Sequence, residues 1–207
     1  MSCVIVLGFY RTGSSAIAGI LHHLGVFMGD DFDPPNDNNP QGYWEDLEFK
    51  HFHKAILDGE DVEQRYIDLI QKREEHKIWG VKDPLLCLLL PNLIKNLRTQ
   101  YRIIHITRDV DDIQTSIHKS IELDPIDFRA TFEVYQRYKQ QWLSSCSCSI
   151  LHIDFSEIFS DSVGTIDRIA DFVQLPATAQ ALSFIQPRGH LVEHPRPIPW
   201  CFLTKQR

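Results

Sequence analysis

The chain has little that would draw it to a polyanion or to lipid. Its 207 residues carry 28 acidic against 21 basic side chains, a net charge of −7, so no global positive field attracts nucleic acid or an anionic membrane. Any anion site must therefore be a local cluster of cations. No stretch approaches the ~20 consecutive apolar residues of a membrane span. The longest apolar run, "PLLCLLLP" at 84–91, is boxed in by prolines. The start "CVIVLG" is too short, and too uncharged at its front, to read as a secretory leader. No Asn-x-Ser/Thr acceptor occurs, and repeats, low-complexity tracts and linkers are missing as well. The five cysteines (Cys3, Cys87, Cys146, Cys148, Cys201) are odd in number and lack paired metal spacing. Cys146 and Cys148 form a C-x-C, shorter than the usual zinc or redox pairs, so reduced thiols in a cytoplasmic protein are expected. The histidines, among them His22, His23, His51, His53, His190 and His194, are not joined to Cys or Glu at metal spacing, and no metal is expected.

What is present suits a globular protein. A hydrophobic fraction of 43% beside 24% charged residues is enough to bury a core, and the length fits one domain spanning 1–207. Residues 3–7, "CVIVL", form a continuous apolar run, as in a strand buried on both faces. Ile17, Ile20, Leu21 and Leu24 then repeat at helical spacing, and Gly25 closes that helix. Residues 30–46 are rich in Pro, Asn and Asp and read as a long loop, whose length points to function. Residues 47–75 are polar and mostly helical in pattern.

Further strands are expected at 77–83, 101–109 and 149–155. Helices are expected from Val110 onward with Ile113, Ile117 and Ile121 on one face, at 127–143, and around 165–173. Tyr135, Tyr138 and Trp142 fall on or near the apolar side of one of these helices and read as core. The tail beyond Pro187 has little periodicity and is expected to lie over the surface. Strands alternating with helices predict an α/β fold, a three-layer α/β/α arrangement around a central parallel sheet.

Two features carry chemistry. "GFYRTGSSAIAG", 8–19, stands between the first strand and the first helix, where backbone N–H groups and the positive helix end converge on one spot. Gly8 and Gly13 let the backbone close around an anion, Ser14 and Ser15 add hydroxyls, and Arg11 places a planar donor fork over the same oxygens. The lysine that a nucleotide hydrolase or kinase normally carries at position 14 is replaced by serine, which counts against ATP–Mg²⁺ chemistry. Arg108 ends the strand "RIIHIT", with Ser116 eight residues on. In a parallel sheet that position delivers Arg108 to the same edge as the glycine loop. A salt bridge from Arg108 to Asp109 or Asp112 would be the commoner use of such a residue.

Together, "GFYRTGSS" and "ITRDVDDIQTSIHK" resemble the two phosphate-binding motifs of the PAPS-dependent sulfotransferases, in the family's order and with the family's spacing. "NPQGYWEDLEF" and "WGVKDP" look like segments of bacterial-type members, and the likeness runs over about residues 3–160. The resemblance implies a phosphate-loop sulfotransferase fold with 3′-phosphoadenosine 5′-phosphosulfate (PAPS) as sulfuryl donor and PAP as product. It implies that Arg11 contacts the bridging and sulfuryl oxygens, that Thr12, Gly13, Ser14 and Ser15 wrap the 5′-phosphate, and that Arg108 and Ser116 hold the 3′-phosphate. A hydroxyl acceptor must also lose its proton, so a base is needed within hydrogen-bond reach. Glu45 is the first candidate and Asp83 the second, while Lys82 would assist the leaving group.

The chain also departs from the family. Ala16 stands where cytosolic members place a tryptophan, and their C-terminal Arg-Lys-Gly segment is represented at best by "PRGH", making Arg188 a candidate nucleotide contact. The expected partner is a small-molecule or saccharide-type acceptor with a hydroxyl or amine, with no nucleic acid and no membrane; homo-oligomerisation stays open. Two other readings stay open beside sulfuryl transfer. One is a small-molecule kinase with Asp83 beside magnesium, and the other is a protein that binds PAP or a sulfated ligand without turnover.

Overall fold

The structure, a computed structural model, describes residues 1–37, 39–120 and 125–185. Arg188, Cys201, His190, His194 and the tail beyond Pro187 lie outside the described residues. Thirteen elements follow one another among those described: β1 (Ser2–Leu7), α1 (Ser14–Leu24), α2 (Leu47–Leu57), α3 (Glu63–Arg73), β2 (Ile78–Lys82), α4 (Leu86–Ile94), β3 (Gln100–Thr107), α5 (Val110–Ser120), α6 (Pro125–Ser145), β4 (Ser149–Asp154), α7 (Glu157–Ser160), α8 (Ser162–Val173) and α9 (Ala179–Phe184).

The four strands form one parallel sheet in the order β2-β1-β3-β4. β1 is central, with Val4 opposite Gly80 on one side and Arg102 on the other. Its continuous apolar sequence follows from that position, because both faces are covered. Val4 and Val6 turn toward α1, α8 and α9, whereas Cys3, Ile5 and Leu7 turn toward the layer that holds α3, α4 and α6. Strand alternation thus divides one strand between two cores, and the three-layer arrangement expected from the sequence is the one observed.

Three differences from the sequence reading have physical causes. Most of the run 84–91, from Leu86 on, belongs to α4, which carries Pro91 within it. Leu86, Leu89, Leu90 and Leu93 are buried at helical spacing, but Cys87 is buried too and Leu85, Leu88 and Ile94 pack partly buried around them, so apolar residues on most sides hide the period. Cys146 and Cys148 are bonded to one another, their Cα atoms 5.4 Å apart, which is within disulfide reach; Cys3 and Cys87 are free and buried. Tyr135 is core as expected, but Tyr138 on the same helix is 40% exposed.

The loop at 30–46 is tied down from below. Arg73, buried at the end of α3, donates to Asp46 Oδ2 at 2.8 Å and 3.1 Å, to Glu48 at 2.6 Å and to Asp30 at 3.3 Å. Asp46 also caps α2 by accepting the Glu48 N–H. The loop therefore re-enters the fold at a fixed point one residue after Glu45. No described helix is long and apolar enough to cross a membrane.

Candidate active site

The turn between β1 and α1 has backbone geometry that few sequences tolerate. Arg11 has φ 63° and Gly13 φ 93°, both in the left-handed region that side chains disfavour. A Cβ on Gly13 would stand 2.3 Å from the Phe155 ring, and one on Gly8 would stand 2.6 Å from Ile106. Both glycines are required by close approach. Thr12 Oγ1 donates to the Phe9 carbonyl at 2.6 Å, so its hydroxyl hydrogen closes the turn from within. α1 starts without a side-chain cap at Gly13. Among the described residues, the N–H groups of Gly13, Ser14 and Ser15 are not consumed by backbone acceptors, which leaves a helix N-terminus free to meet an anion.

The two motifs meet at this turn. Arg11 Nε donates to Ser116 Oγ on α5 at 2.9 Å. Arg108 Nη1 donates to the Arg11 carbonyl at 3.1 Å, and its guanidinium lies 4.2 Å from the centroid of the Phe155 ring. The same ring fills the space beneath Gly13, so one aromatic side chain seats both the turn and the arginine. Arg108 Nε approaches Asp112 at 3.8 Å, and burial lowers the arginine's pKa against the opposing pull of that carboxylate; it stays charged. The surface salt bridge is therefore present but loose, and the rest of the side chain is turned to the turn.

A second cluster faces α1 from β2. Lys82, at the strand's carboxyl end and 3% exposed, donates to Glu45 Oε1 at 2.5 Å, to the Tyr43 carbonyl at 3.2 Å and to Ser15 Oγ at 3.3 Å. Glu45 Oε2 lies 3.4 Å from Lys50. Glu45 is thus brought within one lysine of the phosphate-type turn, while Lys50 holds its outer oxygen.

Asp83 has a different occupation from that of a base. Its Oδ2 meets His53 Nδ1 at 2.7 Å and its Oδ1 accepts the Leu85 N–H at 2.9 Å. Burial pushes the carboxyl up, but the His53 hydrogen bond and charge, that N–H and Lys82 together hold it below its ordinary value. It folds the turn after β2 and carries His53, whose Nε2 meets Tyr66 Oη at 3.0 Å.

Sequence reading brought Arg11, Thr12, Gly13, Ser14, Ser15, Arg108 and Ser116 to one place, with Lys82 and Glu45 beside them. It missed Lys50, His53 and Phe155. His53 stands in "HFH", where nothing separates the buried histidine from exposed His51 except the period of α2. Phe155 follows β4 with no motif around it. Among the described residues, no group of three or more His, Cys, Asp or Glu side chains is placed to hold a metal ion.

Comparison with known proteins bears on this arrangement. No curated protein sequence matches the chain. Among solved structures it is similar to the sulfotransferase domain from the curacin biosynthetic pathway, at 13% identity over 89% of this chain and 78% of that one, TM-score 0.58. It is similar also to the sulfotransferase domain from the Synechococcus PCC 7002 olefin synthase, at 15% identity over 91% and 78%, TM-score 0.57. A third likeness is to the sulfotransferase STF9 from Mycobacterium avium, at 16% identity over 88% and 66%, TM-score 0.50. At such identities these likenesses show the fold alone. The sequence model described as "Sulfotransferase family" matches residues 3–179, from β1 into the start of α9 and so across every element of the site, and the chain belongs to the sulfotransferase family.

Proposed function

We propose that the protein transfers a sulfuryl group from PAPS to a hydroxyl or amine of a small-molecule or saccharide-type acceptor, releasing PAP. The carrying observation is the meeting of Arg11, Arg108 and Ser116 at the carboxyl ends of β1 and β3. One cationic notch so made suits a ligand with phosphate at two ends. The residues fit such a donor: the uncapped N-terminus of α1 faces the notch, and the N–H groups of Gly13, Ser14 and Ser15 are not consumed by backbone acceptors among the described residues.

When bound, PAPS supplies an activated sulfuryl group and PAP as the leaving group. The rest is work by this chain's own side chains. The Gly13, Ser14 and Ser15 N–H groups and the Ser15 hydroxyl hold the 5′-phosphate, and Arg108 and Ser116 hold the 3′-phosphate. Arg11 stabilises negative charge that grows on the oxygen leaving sulfur. The acceptor oxygen or nitrogen attacks sulfur as the sulfur–oxygen bond to phosphate breaks, and its proton passes to Glu45.

Lys82 already reaches Ser15 Oγ as well as Glu45 Oε1, so negative charge held against Ser15 draws the ammonium toward the donor and leaves the Glu45 oxygen open to the acceptor's proton. Positioning and electrostatics then carry the reaction. Asp83, the carboxylate a kinase reading would put beside magnesium, is committed to His53 and Leu85. Glu45's place beside Lys82 favours an enzyme over a silent binder.

The test combines calorimetric titration with turnover over a panel of acceptors. PAP should bind without Mg²⁺ and more tightly than ATP with it. Glu45→Gln should keep PAP affinity and lose roughly 10²- to 10⁴-fold in turnover. Tighter binding of ATP–Mg²⁺ than of PAP would sink the donor assignment, and full turnover by Glu45→Gln would remove Glu45 as base.

A further inference from the structure

Beside Arg108 a cleft of about 230 Å³ is lined on its polar side by Thr12, Thr107, Arg108, Gln136 and Lys139. Among the described residues, no carboxylate lines it. Lys139, on α6, is 3% exposed. Among the described residues it has neither an ion-pair partner nor a hydrogen-bond acceptor, and burial pushes its pKa down. An ammonium buried without a counter-charge is costly, and chains do not keep one without use.

Among the described residues, none of the groups facing Lys139 supplies the missing anion. From α4, Cys87 faces Lys139 as a neutral thiol, pushed up to about 12 by burial. From β3, His105 faces it as a neutral imidazole, pushed down to about 3 by burial and by the charges of Lys139 and His152. Arg108, on the rim of the same cleft, is a second cation. Two cations thus converge on a cleft whose walls are part polar and part apolar (Ile106, Ile113, Phe132) and, among the described residues, carry no carboxylate.

We propose that Lys139 is a third ligand of the donor's 3′-phosphate, completing from α6 the subsite that Arg108 and Ser116 begin at the end of β3. The inference rests on the PAPS reading above. It gives the site a means of discrimination: a nucleotide without a 3′-phosphate leaves Lys139 unpaired, whereas PAP or PAPS neutralises it. Arg108 is shared with the Arg11 carbonyl and Asp112, so the point charge of Lys139 adds donors that the arginine lacks.

The test uses the full chain and two probes, PAP and adenosine 5′-monophosphate, titrated by calorimetry. Lys139→Met keeps the buried stem and removes the charge. It should weaken PAP roughly ten- to a hundredfold, the size of a charge-assisted contact, leave the monophosphate unchanged, and unfold at no lower temperature than wild type. Gln136→Glu, at a half-buried position, places a carboxylate in the same cleft and should likewise weaken PAP but not the monophosphate. Unchanged PAP affinity in Lys139→Met, or equal losses for both probes, overturns the assignment. Arg108→Ala separates the two levels. If it weakens PAP while Lys139→Met does not, only the role of Lys139 falls. If it leaves PAP affinity intact, or wild type does not prefer PAP to the monophosphate, the donor reading falls and takes this inference with it.

Discussion

Asp83, His53 and Tyr66 form a buried chain beneath the site. His53 Nδ1 meets Asp83 Oδ2 and its Nε2 meets Tyr66 Oη, so each of these buried polar groups has a partner. Burial raises the Tyr66 pKa and keeps its proton in place as donor. The Asp83 carboxyl is held below its ordinary 3.8. Its contribution to stability is therefore complete above that value and is lost as pH falls through the lowered folded one. Removing His53 should reverse the sign, because burial, left without its counterweight, then raises the carboxyl. His53→Ala is expected to lose about 1–3 kcal/mol at pH 7, with the deficit shrinking as pH falls toward 4. Urea unfolding at both pH values checks this, and an equal deficit at each would show that the histidine merely fills space. At this scale the sequence spoke unevenly. Arg11, Arg108 and Ser116 sat in motifs whose spacing was visible, whereas Lys82 and Glu45 meet across 37 positions set by a loop whose path no periodicity encodes.

Among the elements, the turn from β1 into α1 decides the most, and its demands are steric before they are chemical. Gly13 combines a left-handed φ with contact against Phe155, and Phe155 also seats Arg108. Gly13→Ala must therefore strain the turn and displace the ring. A cost of about 1–3 kcal/mol in unfolding free energy follows from the backbone alone, and PAP affinity should fall with it because the N–H groups of α1 lose their aim. Phe155→Ala added to Gly13→Ala removes the clash but not the backbone cost, so the double variant should recover only part of the lost stability. Complete recovery would place the whole effect in the side-chain contact. The strands and α1 were legible because apolar runs and helical spacing report directly on burial. α4 was not, since a helix buried on most sides has no polar face to set a period.

Across the whole molecule, the sheet order turns separate stretches of sequence into one edge. β1 and β3 are neighbours, so the turns that follow them lie side by side although Arg11 and Ser116 stand 105 residues apart. Arg108 then fastens the second turn to the backbone of the first. Net charge of −7 is no obstacle to the proposed donor, because what would count there is the local set of Arg11, Lys82, Arg108 and Lys139. A bisphosphate that bridges the two turns binds the folded chain and not the unfolded one, and so must raise its melting temperature by mass action. At a hundredfold excess over its dissociation constant the gain is about 2.7 kcal/mol. For a chain of this size each kcal/mol moves the midpoint by roughly 2–4 °C, which gives an expected rise of about 5–10 °C with PAP in the absence of Mg²⁺. Arg108→Ala at the same PAP concentration should show a smaller rise, since its half of the bridge is gone, and inorganic phosphate a smaller one still. Calorimetric scans at matched concentrations read all three. A PAP shift no larger than that of phosphate would mean that one turn binds an anion alone, and that the two motifs, though adjacent, do not act on a common ligand.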